Sequence, residues 1–62
     1  DVRRALAALP PELREISILC FYQELKQKEI ASVLGIGLPL VKYRIHRAKE
    51  LLQKMLAEED YI

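Results

Sequence analysis

Residues 38–56 carry five cations, Lys42, Arg44, Arg47, Lys49 and Lys54, against a single carboxylate, Glu50, a net of +4. Residues 1–37 are neutral, with five basic and five acidic side chains, and residues 57–62 add Glu58, Glu59 and Asp60. The overall charge of +1 therefore conceals a basic segment between a neutral body and an acidic end. At about 100° per residue on a helix, that segment winds Pro39, Lys42, Tyr43, His46 and Arg47 onto one face, with Arg44 and Lys49 along its edges. Ammonium and guanidinium groups neutralise phosphates and also bond base edges, so the chemistry on offer is the binding of a polyanion, above all nucleic acid.

Other chemistries find little footing. The sequence presents no paired carboxylates, no nucleophile with a base and no metal cluster, and His46 has no second ligand nearby. Neither an enzyme nor a metal site is expected, and no cofactor is implied. Cys20 is the sole cysteine, so no internal disulfide can form. It reads as a small hydrophobe in a protein of the reducing cytoplasm. The longest apolar runs, Ala5 to Leu9 and Ile18 to Tyr22, fall far short of the roughly 20 residues needed to span a bilayer, and no signal peptide is expected.

The elements that must position the basic face are helices. Opposite it, Val41, Ile45, Ala48, Leu52 and Leu56 recur every three or four residues, the stripe of a helix with one buried side. Just upstream, Ile30, Ala31, Val33 and Leu34 repeat at helical spacing and stop at Gly35, which can enter the left-handed conformation that ends a helix. Gln27 to Arg47 thus reads as a helix-turn-helix. Small Ala31 allows a close crossing, and Ile30, Leu34, Ile36, Val41 and Ile45 lock the pair together.

With 62 residues, the chain is one small domain burying only about 60% of its unfolded surface. It begins at Asp1 and not methionine, which reads as a piece of a longer protein. A first helix is predicted over residues 2–9, with Val2, Leu6 and Leu9 facing one way. Pro10 and Pro11 end it, and Pro11 opens a second helix reaching Tyr22. Leu13, Ile16, Leu19 and Cys20 form the seam of that helix, leaving Ile18, Phe21 and Tyr22 to meet other helices or a partner. Gln23 to Leu25 is a short connection, with Leu25 a buried staple. Lys26 stands where a polar cap is usual, although Glu29 can bond back to it as half a capping box. The last helix is predicted from Leu38, behind Gly37 as cap and with Pro39 in its first turn, to about Ala57. Acidic residues 58–60 oppose the dipole there and should fray, while Tyr61 and Ile62 either hang loose or dock. The fold class is all-α, a small four-helix domain with a C-terminal helix-turn-helix.

Three blocks in order resemble region 4 of the bacterial sigma-70 family, most closely its extracytoplasmic-function (ECF) group. LPPELREI at Leu9 to Ile16 is similar to the opening of that region, KEIASVLGI at Lys28 to Ile36 to its first motif helix, and VKYRIHRAKELL at Val41 to Leu52 to its reading helix. The resemblance covers nearly all of residues 1–62. It implies reading of the -35 element of double-stranded promoter DNA in the major groove, docking on the beta flap of RNA polymerase core, and transcription initiation as the task. By position, Lys42, Tyr43, His46 and Arg47 correspond to groove-facing residues, with Pro39 and Leu40 at the leading end. Lys26, Lys28, Arg44 and Lys49 correspond to phosphate contacts or their supports. The chain departs from the family pattern at Lys26, Gly37 and Leu40, where polar residues are usual; leucine there can meet a thymine methyl.

Two further readings stand beside this one. A response-regulator output domain also ends in a four-helix reader, but the RIHRAK block argues against it. A protein-interaction module would use apolar Ile18, Phe21, Leu38 and Leu40 to bind an anti-sigma factor or the polymerase, and this function can coexist with DNA reading. Lys54 reads as a solvated charge. Arg44 is expected either on phosphate or paired with Glu29 across the two motif helices, and Tyr43 either at the DNA surface or over a core edge.

Overall fold

Two adjacent prolines set the first corner of the chain. In the computed structural model, which describes residues 2–60 and the side chains from Arg3 to Ala57, helix α1 (Val2–Ala8) closes with a tight Leu9 N–H to Leu6 carbonyl bond of 3.1 Å. Pro10 is extended (φ −54°, ψ 150°), and its carbonyl accepts the first bonds of α2 (Pro11–Ser17), from Leu13 N–H at 3.0 Å and Arg14 N–H at 2.9 Å. Proline suits these places because its missing N–H would have no helical partner there. Helix α3 (Gln27–Leu34) and the long α4 (Leu38–Asp60) complete an all-helical fold.

The second helix is not one regular α-helix to Tyr22. After Ser17 it widens into a π turn, Ile18–Tyr22, in which Gln23 N–H reaches back to the Ile18 carbonyl at 3.0 Å. The turn ends on Glu24, whose φ of 55° lies in the left-handed region, and Leu25 N–H closes it on the Leu19 carbonyl at 3.1 Å. Widening keeps Leu19 and Cys20 half-buried against the core while Ile18, Phe21 and Tyr22 point outward.

The core has two clusters. Leu6, Leu9, Leu13 and Ala48 form the first, with Leu51, Leu52 and Met55 packed on it. Ile16, Ile30, Val41 and Ile45 form the second, joined by Leu19, Cys20, Leu25, Ala31, Leu34 and Ile36. Helices α2 and α4 each supply side chains to both, and their mutual contact is the most extensive in the fold. At their crossing Ser17 is almost wholly buried, its hydroxyl donating to the Leu13 carbonyl at 2.7 Å, which satisfies a polar group in an apolar place.

Several expectations change. Val33, at helical spacing with Ile30, Ala31 and Leu34, is 63% exposed, because its angular position on α3 lies outside the face those three present to the core. Ala5 is buried although its size gave it no weight in the sequence pattern. Helix α4 runs past Ala57 to Asp60, so its backbone does not stop where the acidic residues begin. The side chains of Val2 and residues 58–60, and Tyr61 and Ile62 altogether, lie outside the described residues. No helix among the described residues is long and apolar enough to cross a membrane.

Candidate nucleic-acid interface

The motif is set by three backbone events. Lys26 is extended (φ −73°, ψ 155°), and its N–H donates to Glu29 Oε1 at 2.8 Å, half a capping box that holds the start of α3 although a lysine side chain cannot accept the reciprocal bond. Gly35 then takes φ 68°, and the Ala31 carbonyl accepts both its N–H and that of Ile36, the latter at 3.1 Å. Ile36 is thereby turned into the second cluster. Finally the Gly37 carbonyl accepts Val41 N–H at 3.1 Å, making Gly37 the cap of α4 with Pro39 in its first turn.

These events fix the phase of α4. Val41 and Ile45 are buried against α2 and α3, and Ala48 against α1 and α2, so Pro39, Lys42, Tyr43, His46, Arg47 and Lys49 are exposed and Leu40 is partly so. Arg44 is half-buried, as an edge position requires. Two grooves flank the face. One gathers Lys26, Lys28, Leu38 and Lys42 with Leu25, Gln27 and Glu29, bringing the start of α3 beside the start of α4. The other gathers Leu40, Tyr43, Arg44 and Arg47 with Pro10, Glu12 and Leu13 from the start of α2. The expected cations therefore fall into two groups, Lys26, Lys28 and Lys42 in one groove and Arg44 and Arg47 in the other, while Lys49 lines neither.

Two relationships were not foreseen. Glu50 lies within reach of both His46 (Nε2 to Oε1, 3.5 Å) and Arg47 (Nη1 to Oε1, 3.9 Å). Its i,i+4 and i,i+3 spacing is a visible signal for such contact. Glu12 joins the rim of the second groove, and nothing local in the sequence could announce that, because it depends on how α2 crosses α4. Of the two alternatives for Arg44, the pair with Glu29 does not form, since the Glu29 carboxylate turns back to its own helix start. Tyr43 is 62% exposed and covers no core edge. Of the interaction residues, Ile18 and Phe21 are each 38% exposed on the π turn, whereas Leu38 is half-buried in the first groove, on a different part of the surface.

A helical body ending in two helices joined across a left-handed glycine, the second exposing a cationic face along its length, is the architecture of a helix-turn-helix DNA reader. A family model described as Sigma-70, region 4 matches residues 1–52, and the chain belongs to that family. Among curated proteins it is 41% identical over 60 residues to the ECF RNA polymerase sigma factor SigE of Mycolicibacterium smegmatis, covering 97% of this chain and 23% of that one. It is 40% identical over 60 residues to the RNA polymerase sigma factor SigV of Bacillus subtilis, covering 97% and 36%. To the ECF RNA polymerase sigma factor SigW of the same organism it is 35% identical over 57 residues, covering 92% and 30%. The chain thus spans about a quarter to a third of the length of these relatives. No solved structure matches it significantly. Membership of the region 4 family supersedes the response-regulator reading.

Proposed function

We propose that residues 1–62 are the promoter-reading domain of an ECF sigma factor, with the helix-turn-helix over about 27–47. Helix α4 lies in the major groove of the -35 element. Lys42, Tyr43, His46 and Arg47 face the base edges, and Pro39 and Leu40 occupy its leading end, Leu40 against a thymine methyl. Lys26, Lys28, Arg44 and Lys49 contact the phosphates that flank the groove and fix the register. In the parent protein the domain directs RNA polymerase core to promoters from the cytoplasm, docking on the beta flap, and an anti-sigma factor restrains it.

The observation that carries the reading is the exposed cationic face of α4, held outward by the burial of Val41, Ile45 and Ala48 on its other side. The arrangement of Lys26 and Lys28 beside Lys42 supports it, because one groove then holds cations from both motif helices. A protein-docking role coexists with this one, favoured by the exposure of Ile18 and Phe21 on the π turn that follows α2.

Selection of duplexes from a randomised pool by this chain, in parallel with Lys42→Ala, tests the proposal. The expected result is an enriched motif whose preference changes at one position in the variant. Failure to enrich any motif at low salt and high protein concentration would overturn DNA reading and leave protein docking as the function of the domain.

A further inference from the structure

Glu50 is the sole carboxylate in residues 38–56, and it sits among cations. On a face meant for DNA such a group is a liability, since it repels phosphate whatever the base sequence. Its surroundings supply a compensating role. A single oxygen, Oε1, lies 3.5 Å from His46 Nε2 and 3.9 Å from Arg47 Nη1, so one carboxylate gathers two neighbouring groove-facing side chains. All three are exposed, with side-chain exposures of 53% for Glu50, 76% for His46 and 49% for Arg47.

We propose that Glu50 is a specificity-determining positioning residue, which orients Arg47 and His46 toward particular bases by holding both on one carboxylate oxygen. The inference rests on the assignment of His46 and Arg47 as base-facing residues. A guanidinium has five N–H donors in a rigid fork. Holding Nη1 toward Glu50 leaves the Nε–Nη2 edge free to meet guanine O6 and N7 as a pair. Without the carboxylate the arginine sweeps freely, meets phosphate as readily as base, and discriminates less. Exposed pairs at these spacings are weak, so the effect is a modest change in preference and not an abolition of binding.

The test compares position-resolved base preferences, from randomised-duplex selection, for the unaltered chain, Glu50→Gln, Glu50→Ala, His46→Ala and Arg47→Ala. Glu50→Gln keeps the shape and removes the charge. The expected result is a drop of about two- to fivefold in base preference at the position or positions that His46→Ala or Arg47→Ala also alters, with affinity for unrelated duplexes raised. A purely structural role in α4 would weaken all sequences alike and leave every preference intact. Unchanged preferences with uniformly altered affinity would therefore overturn the proposal, making Glu50 a bystander charge. A change at a position that neither His46→Ala nor Arg47→Ala touches would also overturn it, because Glu50 would then read a base itself. If the unaltered chain enriches no motif, the DNA-reading assignment fails and this proposal falls with it; that outcome shows in the unaltered chain alone and so is distinct from the other two.

Discussion

Two helical segments of this domain end on a residue in the left-handed region, Gly35 at φ 68° and Glu24 at φ 55°. The pairing allows a sharp thermodynamic prediction. For Gly35→Ala, a Cβ would meet nothing within 4 Å, so the cost is conformational and not a collision. Left-handed geometry costs an L-residue about 1–2 kcal/mol. Against that, alanine restricts the unfolded chain and returns about 0.4–1 kcal/mol. The net expectation is a destabilisation of about 0.5–1.5 kcal/mol. At Glu24, which is exposed, the same reasoning runs in reverse, and Glu24→Gly should stabilise by a similar amount. For a domain of this size, melting temperature moves by about 4–8 °C per kcal/mol. Thermal and urea unfolding followed by helical circular dichroism would therefore separate the two variants to opposite sides of the unaltered chain. Shifts of the same sign would refute the backbone account, since no contact of either side chain is being invoked.

Other expectations can be checked with the same assays or by DNA titration. Gly37 has no such constraint, and a Cβ there would rest 3.7 Å from Pro39 Cδ, an ordinary contact. Gly37→Ser should therefore stabilise the domain by roughly 0.5–1 kcal/mol through better capping and a stiffer unfolded chain, read as a higher melting temperature. Ile30, fully buried between α3 and its neighbours, should cost about 2–5 kcal/mol as Ile30→Ala in urea unfolding, a large share of what so small a domain holds in reserve. Lys42→Ala and Arg47→Ala should each weaken specific duplex binding by about 1–3 kcal/mol in a fluorescence titration, whereas Lys54→Ala should leave it unchanged. With about four phosphate contacts, affinity should fall roughly a hundredfold between about 50 and 200 mM salt, and a flat response would point to a protein partner.

How far the sequence disclosed this arrangement varied with the kind of signal. Gly35 and the Pro10–Pro11 pair announced their turns because each residue type has a backbone preference of its own. The buried and exposed faces of α4 were legible because one stripe is apolar and the other cationic for several turns. The π turn was not, since ISILCFY is apolar in every direction and a run without contrast cannot phase a helix. Glu24 escaped notice for the related reason that glutamate carries no bias toward the left-handed region it adopts. Helical spacing groups Val33 with Ile30, Ala31 and Leu34 but does not say which of the four face the core, and Val33 is the one left exposed. The rim contributed by Glu12 depends on a crossing between distant segments. By contrast, the Glu50 contacts lay open to anyone counting three and four residues back.

The length of α4 has a mechanical meaning. Its 23 residues make a rod of about 34 Å at 1.5 Å per residue, close to the 39 Å long dimension of the molecule. One half of the rod carries His46 and Arg47, and the other half, with Leu51, Leu52 and Met55, lies against the cluster that α1 helps to build. A tilt of about 5° about the far end of the rod would displace the leading end by about 3 Å and the turn that carries His46 and Arg47, roughly 20 Å from that end, by about 2 Å. On the proposed reading of DNA by α4, whatever seats the α1 side of the molecule therefore also shifts the reading residues, so that recognition of sequence becomes a matter of leverage as well as of contact.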